Sequence, residues 1–254
     1  MKILAVGDVV ADAGLDRIRR SLPAVKREHN IDFCIINGEN SAGGKGITRA
    51  AYDTLLSYGA DVITTGNHVW NNYQIYDMFD DGLSIIRPAN YPPSAAGDGY
   101  IEVDMGKHKV CVINLLGRAS MDAVDCPFRT ADSIIKNTDA DIILVDFHAE
   151  ATSEKAALGY YLDGRVSAVF GTHTHVMTAD ERILPKGTGF ITDIGMTGVI
   201  DSVIGMKTEA SVARFVNKIP NKYEPASGET MLCGCVFDID DNGKCLSIER
   251  IVVK

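Results

Sequence analysis

Apolar and polar positions alternate in blocks along the first half of the chain. A short run of apolar, mostly β-branched residues is followed by polar residues with glycine, and then by a stretch with helical spacing. The apolar runs are KILAVGD, DFCIINGEN and DVITTGNHVW. In the helical stretch TRAAYDTLLSYG, Thr48 can cap the helix and Gly59 follows its last turn. This order of strands and helices predicts a mostly parallel sheet covered by helices.

The middle and the end of the chain follow other patterns. GYIEVDMGKHKVCVINLLG predicts a hairpin with MGKH as its turn, after which strand and helix patterns alternate again. GETMLCGCVFDID and KCLSIERIVVK predict two further strands around the turn DDNG. The segment from Gly195 to Glu229 is punctuated by glycine and proline and is weakly patterned. We expect it to form either a long excursion or part of a lid over a site.

Length, charge and hydropathy exclude several classes of protein. A chain of 254 residues with 46% hydrophobic content can bury one core, so we expect a single domain over residues 1–254. The net charge of −9 argues against a broad nucleic-acid surface, and we interpret the basic group RIRR, at residues 17–20, as a solvated helix face. No apolar run reaches the roughly eighteen residues of a membrane helix. Because Asp8 also interrupts the N-terminal apolar run too early for a signal peptide, we expect a cytoplasmic protein.

The six cysteines are scattered and form no C-x-x-C pair. Cys233 and Cys235 are close together, but their surroundings alternate as in a strand. We therefore expect buried thiols rather than a structural zinc site.

Residues that can bind a metal ion follow the predicted apolar strands. They are Asp8, Glu39, Asn40, Asn67, His68, His148, His173 and His175. Because the carboxyl ends of parallel strands lie at one edge of a sheet, these distant positions are expected to converge there. His173 and His175 form the strongest pair, since residues two apart in an extended segment point the same way.

Each of these residues also has an ordinary interpretation when it is taken alone. An aspartate such as Asp8 after a strand and a glycine is usually a turn or cap residue, and asparagine is common in turns. His148 alone is compatible with a hydrogen-bonded core histidine. His29 and His108 have no such neighbours, and we interpret them as surface residues. The convergence of the whole set favours a metal site over a plain hydrogen-bonded cluster.

The donors in this set are oxygen and imidazole nitrogen, without thiolate. Such donors suit manganese, iron, zinc or nickel, and disfavour both a cysteine-type zinc site and an all-oxygen calcium site. The set is large enough for two ions. A carboxylate between two ions about 3.5–4 Å apart can bridge them, and the pair can hold a hydroxide and bind phosphate oxygens.

The motifs resemble those of a known family. GD at residues 7–8, GNH at residues 66–68, the isolated His148 and GTHTH at residues 171–175 resemble, in this order, the motif series of the calcineurin-like metallophosphoesterases. Two positions depart from that series: Val10 replaces the histidine of the first motif, and the second motif reads NGEN. Together with INLLGR and ITDIGMTG, these departures resemble the YmdB-like branch of bacterial 2',3'-cyclic nucleotide phosphodiesterases over essentially the whole chain.

The resemblance implies an α/β fold, a sandwich of two mixed β-sheets flanked by helices. It also implies two ions, iron or manganese with zinc as an alternative, and two sets of ligands that share Glu39 as a bridge. One set is Asp8, Glu39, Asn40 and His175, and the other is Glu39, Asn67, His148 and His173. His68 would protonate the leaving oxygen.

The expected function is hydrolysis of 2',3'-cyclic nucleotides such as 2',3'-cyclic AMP by a metal-bridging hydroxide. The protein would then bind a small nucleotide phosphodiester, and we expect neither a broad surface for nucleic acid nor a membrane contact. A regulatory role through RNA-degradation products stays open, and so does a homo-oligomer. Two alternatives also remain open: a nuclease or 5'-nucleotidase on the same metal site, and a regulator whose metal site is not catalytic.

Overall fold

The computed structural model describes residues 1–218 and 224–254, in which strands form two mixed sheets. The first sheet has the order β2 (Asp8–Val9), β11 (Met196–Val199), β12 (Thr230–Ile239), β1 (Lys2–Val6), β3 (Phe33–Asn37) and β4 (Val62–Thr64), and β13 (Cys245–Val253) pairs with β12. The second sheet has the order β5 (Tyr100–Asp104), β6 (Lys109–Leu116), β7 (Ile142–His148), β8 (Ala168–Thr172), β10 (Gly189–Ile191) and β9 (Arg182–Ile183).

Five helices pack on the two sheets: α1 (Ala11–His29), α2 (Arg49–Ser57), α3 (Gln74–Asp80), α4 (Pro127–Asn137) and α5 (Thr152–Leu162). A sixth, α6 (Thr208–Asn217), is largely exposed, and Ser211 is its one buried residue. In α1, Ile18, Leu22 and Val25 form the buried stripe, and the helix ends at Asn30, which has a left-handed backbone. As predicted, the side chain of Thr48 caps α2 by accepting the backbone N–H of Ala51.

Strand β1 shows why two sheets pack into a sandwich. Ile3 and Ala5 lie in the core between the sheets, whereas Leu4 and Val6 lie in the core under the helices of the first sheet. Because alternate side chains point to opposite faces, a strand that is apolar at every position must be covered on both faces. The predicted α/β sandwich of two mixed sheets is confirmed.

Both predicted hairpins are present. Strands β5 and β6 pair antiparallel around residues 105–108, and β12 and β13 pair antiparallel around residues 240–244.

The thiols are buried as expected at Cys34, Cys111, Cys233, Cys235 and Cys245, while Cys126 is partly exposed. In the described part of the chain, no helix combines the length and hydrophobicity needed to cross a membrane.

Two expectations need correction. The weakly patterned segment contains β11 and α6, although residues 219–223 within it lie outside the described residues. The RIRR group is solvated only in part, because Ile18 is fully buried and Arg17 is half-buried. His29 and His108, which we interpret as surface residues, are partly exposed, with 24% and 12% of their side chains accessible, and His108 Nε2 lies 3.1 Å from Asp241 Oδ1.

Candidate metal centre

The predicted site residues come together from two sheets. Asp8, Glu39 and Asn67 follow or lie in strands of the first sheet, whereas His148 and the later histidines belong to the second. The expectation that a single sheet edge holds the set is therefore wrong. The carboxyl ends of strands from both sheets adjoin, and the polar cluster lies between them.

His148 is the centre of one group of donor atoms. Its Nε2 lies 3.0 Å from Glu39 Oε1, 3.0 Å from Asn67 Oδ1 and 3.1 Å from His173 Nδ1. Candidate ligand atoms of Glu39, His148 and His173 all lie within 4.8 Å of one another. Since Nε2 carries at most one proton, it cannot satisfy three such neighbours, whereas a cation at this point could contact all four groups.

Asp8 belongs to a second group beside the first. Its Oδ2 accepts the backbone N–H of His173 at 3.1 Å, but its buried Oδ1 has no hydrogen-bond partner. This Oδ1 lies 3.8 Å from His175 Nε2, which in turn lies 3.1 Å from the side-chain amide of Asn40. A buried carboxylate oxygen without a partner is costly, so the donor set of this group also fits a cation.

The pKa values of the charged side chains in the cluster are shifted in different directions. Burial raises the pKa of Asp8, and the charges of His175 and His148 only partly offset this. Burial also acts to raise the pKa of Glu39, but the charge and hydrogen bond of His148 lower it to about 2. Burial acts to lower the pKa of His148, yet Glu39 and Asp8 raise it to about 9. The two carboxylates therefore create a negative potential that favours positive charge at this point.

The pKa of His173 is shifted in the opposite direction to that of His148. Burial and the charge of His148 lower the pKa of His173 to about 3. Its ring is therefore neutral near pH 7, which is the protonation state that metal binding requires.

A buried polar network orients His148. Its Nδ1 lies 2.9 Å from Thr172 Oγ1, and that hydroxyl donates to Asp146 Oδ1 at 2.7 Å. Asn37 Nδ2 also donates to Asp146, at 3.2 Å, and burial raises the pKa of Asp146 to about 6. Partners of this kind fix the ring so that Nε2 faces the cluster. The sequence interpretation missed them, although Asp146 in the apolar run of β7 is a visible signal.

The two later histidines lie in a turn rather than in an extended segment. Strand β8 ends at Thr172, and His173 and His175 have left-handed backbones with φ of 98° and 65°. Their rings diverge, since His173 reaches His148 while His175 reaches Asn40. The expectation that both point the same way from a strand is therefore wrong. We call residues 172–175 the histidine loop.

A buried ion pair holds the histidine loop in this conformation. Asp193 Oδ2 accepts the backbone N–H and the hydroxyl of Thr174, at 3.2 and 2.8 Å. Lys155 Nζ donates to the same Oδ2 at 2.7 Å and to the Thr172 carbonyl at 2.8 Å. Both charged side chains are essentially inaccessible to solvent. Sequence reasoning missed this pair, because Lys155 lies in the middle of a helix and Asp193, although it follows β10, has no partner nearby in the sequence.

Close packing explains two glycines of the motifs. A Cβ at Gly66 would lie 2.4 Å from the ring of His148 and 2.5 Å from Glu39 Oε2. A Cβ at Gly7 would lie 1.9 Å from the carbonyl oxygen of Gly195. These approaches are too short for any side chain, so glycine is required where the backbone meets the cluster.

His68 lies beside the cluster rather than in either group. Its backbone N–H donates to Glu39 Oε2 at 2.9 Å, and its Nδ1 lies 3.1 Å from Asn71 Oδ1. An amide oxygen only accepts, so Nδ1 is the donor, and Nε2, which lies 3.5 Å from Asn67 Nδ2, is the ring nitrogen available for proton exchange. His68 also lines a cleft of about 770 Å³ that reaches Glu39, Asn40, His173 and His175.

The fold and this cluster define a class of protein. Two mixed sheets with a buried cluster of carboxylate, amide and imidazole groups at their adjoining edges form the metallophosphoesterase sandwich, a fold that implies divalent metal ions. More particularly, the chain belongs to the YmdB-like protein family, whose model matches residues 4–251.

Similar proteins support this assignment. The chain is 48% identical to a 2',3'-cyclic-nucleotide 2'-phosphodiesterase of Bacillus subtilis, over 100% of this chain and 97% of the relative. A crystal structure of a hypothetical protein from Thermus thermophilus matches with a TM-score of 0.96 and 40% identity, over 100% of this chain and 99% of the other. A novel phosphatase from Mycoplasma pneumoniae matches with a TM-score of 0.95 and 36% identity, over 100% and 93%. The predicted enzyme class, a phosphoesterase, is confirmed.

Proposed function

We propose that this chain is a dinuclear metal-dependent phosphodiesterase that hydrolyses 2',3'-cyclic nucleotides. The observation that carries the proposal is the position of Glu39, whose Oε1 lies 3.0 Å from His148 Nε2 and 3.3 Å from the Asn40 amide. Glu39 is thus in contact with both groups of donors. The name of the Bacillus subtilis relative, at 48% identity, supports the substrate class.

We assign the donors to two ions that share Glu39. One ion is held by Asp8, Glu39, Asn40 and His175, and the other by Glu39, Asn67, His148 and His173. When bound, the two ions supply a hydroxide nucleophile and neutralise the phosphate oxygens. Iron and manganese suit this oxygen and imidazole set, with zinc as an alternative.

The protein's own contribution is to hold the donors in fixed positions and to supply a proton. Thr172 and Asp146 orient His148, and the ion pair of Lys155 and Asp193 holds the histidine loop. We assign His68 to protonate the leaving ribose oxygen through Nε2, since Asn71 Oδ1 accepts the N–H of its other ring nitrogen. It is not assigned as a ligand.

Charge favours a small anionic substrate. Two divalent ions bring four positive charges to a site with two carboxylates, in a protein whose net charge is −9. Such a local positive centre attracts one phosphodiester, while the remaining acidic surface disfavours a long nucleic acid.

The test compares three substrates at one Mn²⁺ concentration: 2',3'-cyclic AMP, 3',5'-cyclic AMP and 5'-AMP. We expect kcat/KM to be far higher for 2',3'-cyclic AMP, because its five-membered ring is strained, and we expect a chelator to abolish turnover. Equal kcat/KM for the two cyclic isomers, or a preference for the monoester, would contradict the substrate assignment. Undiminished turnover in chelator would contradict the metal dependence.

A further inference from the structure

The cleft has an apolar side that the proposed metal chemistry does not use. We call Val203, Ile204, Met206 and Phe215 the apolar wall; all four line the cleft together with Glu39 and the histidine loop. Ile204 is 48% exposed and Phe215 is 67% exposed. Apolar side chains left accessible inside a cleft mark a surface that a ligand can cover.

The turn that carries three residues of the apolar wall, Val203, Ile204 and Met206, is anchored to the metal centre. Val203 and Met206 exchange two backbone hydrogen bonds, at 2.9 and 3.0 Å, around Ile204 and Gly205. Ile204 has a φ of 49°, which is strained for a β-branched residue. Its carbonyl accepts the Nδ1–H of His175 at 3.0 Å. The strain is thus held in place by a contact to a proposed ligand, as is typical of functional sites.

The opposite rim of the cleft is formed by the glycine-rich turn after β3. Met206 packs against this turn so closely that a Cβ at Gly44 would lie 2.6 Å from Met206 Cε. Lys45 lies on the rim, exposed, and is the one lysine or arginine among the described residues that line the cleft. Glu39, His173 and His175 of the donor cluster, the apolar wall and this rim therefore line one continuous cleft.

The cleft is larger than a bound phosphate group requires. The cleft volume of about 770 Å³ lies in the range of roughly 300–1,000 Å³ typical of small-molecule sites. A phosphodiester at the donor cluster leaves room for the nucleoside attached to it, and the only large apolar surface that this nucleoside can meet among the described residues of the cleft is the apolar wall.

We propose that the apolar wall is the nucleobase subsite, and that Phe215 is the residue on which the base stacks. This inference rests on the proposed function, since it places the phosphate at the metal centre. Every base has a π-face that an aromatic ring can cover, and no described side chain of the apolar wall offers a hydrogen bond to a base edge. The subsite therefore selects nucleotides over simpler cyclic phosphates, with little preference among bases.

The experiment compares Phe215→Ala with Val216→Ala, a neighbouring residue of α6 that is 73% exposed and does not line the cleft. Turnover is measured for 2',3'-cyclic AMP and for glycerol 1,2-cyclic phosphate, which has the same five-membered ring without a base. We expect Phe215→Ala to raise KM for 2',3'-cyclic AMP by about tenfold, the scale of one lost base stack. Its kcat, its turnover of glycerol 1,2-cyclic phosphate and all parameters of Val216→Ala should stay within about twofold of the wild type.

Phe215→Trp should restore the low KM, since the larger ring also stacks. An equal loss on both substrates, or an unchanged KM for 2',3'-cyclic AMP, would overturn the subsite. Calorimetric binding of 3'-AMP and of inorganic phosphate separates this result from failure of the proposed function. If the wild type hydrolyses neither cyclic phosphate, the proposed function fails. The subsite then stands if Phe215→Ala weakens 3'-AMP binding selectively, and falls if it does not.

Discussion

His148 and the histidine loop present imidazoles to the same cluster by different means. His148 is the last residue of β7, held in register between Leu116 of β6 and Thr172 of β8. His173 and His175 lie beyond the end of β8 with left-handed backbones. The sheet fixes the position of the first imidazole, whereas the other two depend on polar contacts outside the sheet.

The comparison shows that the histidine loop needs supporting contacts that His148 receives from its strand. In the histidine loop, the buried pair of Lys155 and Asp193 and the carboxylate of Asp8 replace the support of a strand. Buried polar networks of this kind are stable only when every partner is present. We therefore expect the two regions to respond differently to substitution.

Glu39→Gln should have the largest effect, because it removes the charge that contacts both groups of donors. We expect loss of both ions and a fall in turnover below detection, at least about ten-thousandfold, since the nucleophile depends on the metal pair. Elemental analysis and turnover of 2',3'-cyclic AMP measure the two effects. Glu249→Gln, at an exposed position of β13, is the matched control and should keep wild-type values. Retention of both ions in Glu39→Gln would refute the bridge.

His68→Ala tests a residue that belongs to neither region. We expect turnover to fall by about a hundred- to ten-thousandfold, the range for loss of a general acid, while both ions remain bound. Metal content and kcat are measured on the same preparation. If metal content falls together with turnover, His68 is a ligand and its assignment as the acid is wrong.

Gly66→Ala disturbs the part of the site that the strands hold in position, and it does so by steric contact alone. The added methyl would meet both the ring of His148 and the carboxylate of Glu39. We expect turnover to fall at least about a hundredfold, the scale of a displacement of about 1 Å in an active site. Circular dichroism should show an unchanged fold. Normal turnover in Gly66→Ala would mean that the donor positions are not critical.

Asp193→Asn disturbs the support of the histidine loop and also the hydrogen bond that the Gly195 N–H donates to Asp193 Oδ1 at 2.9 Å. It leaves the buried charge of Lys155 without its partner, so we expect the free energy of unfolding to fall by about 3–5 kcal/mol. Metal affinity should fall by about 10- to 100-fold, as for other partners behind a ligand. The double variant Asp193→Asn/Lys155→Met should recover stability but not metal affinity. Recovery of both would show that the pair supports the fold and not the loop.

The strand-borne part of this molecule was the part that the sequence could predict. Apolar runs indicated strands β1, β3, β4, β7 and β8, and the polar residues that follow them converge in the structure. The motif order led to the correct fold and family because ligand positions and strand ends are linked in the chain. The ligand roles themselves stay predictions.

The supporting contacts could not be predicted in the same way. Lys155 lies in the middle of α5 and Asp193 after β10, so their pairing depends on how the second sheet and its helix pack. The left-handed backbone of His173 and His175 is likewise set by partners distant in sequence. The apolar wall lies in a segment whose weak pattern gave no indication of a turn anchored to His175.

Titration of the metal-free protein with Mn²⁺, with turnover of 2',3'-cyclic AMP followed at each step, tests the dinuclear site most directly. We expect activity to rise to its maximum near two equivalents per chain and to disappear again in chelator. Full activity at one equivalent, or activity that persists in chelator without bound metal, would contradict a reaction that depends on two ions sharing Glu39.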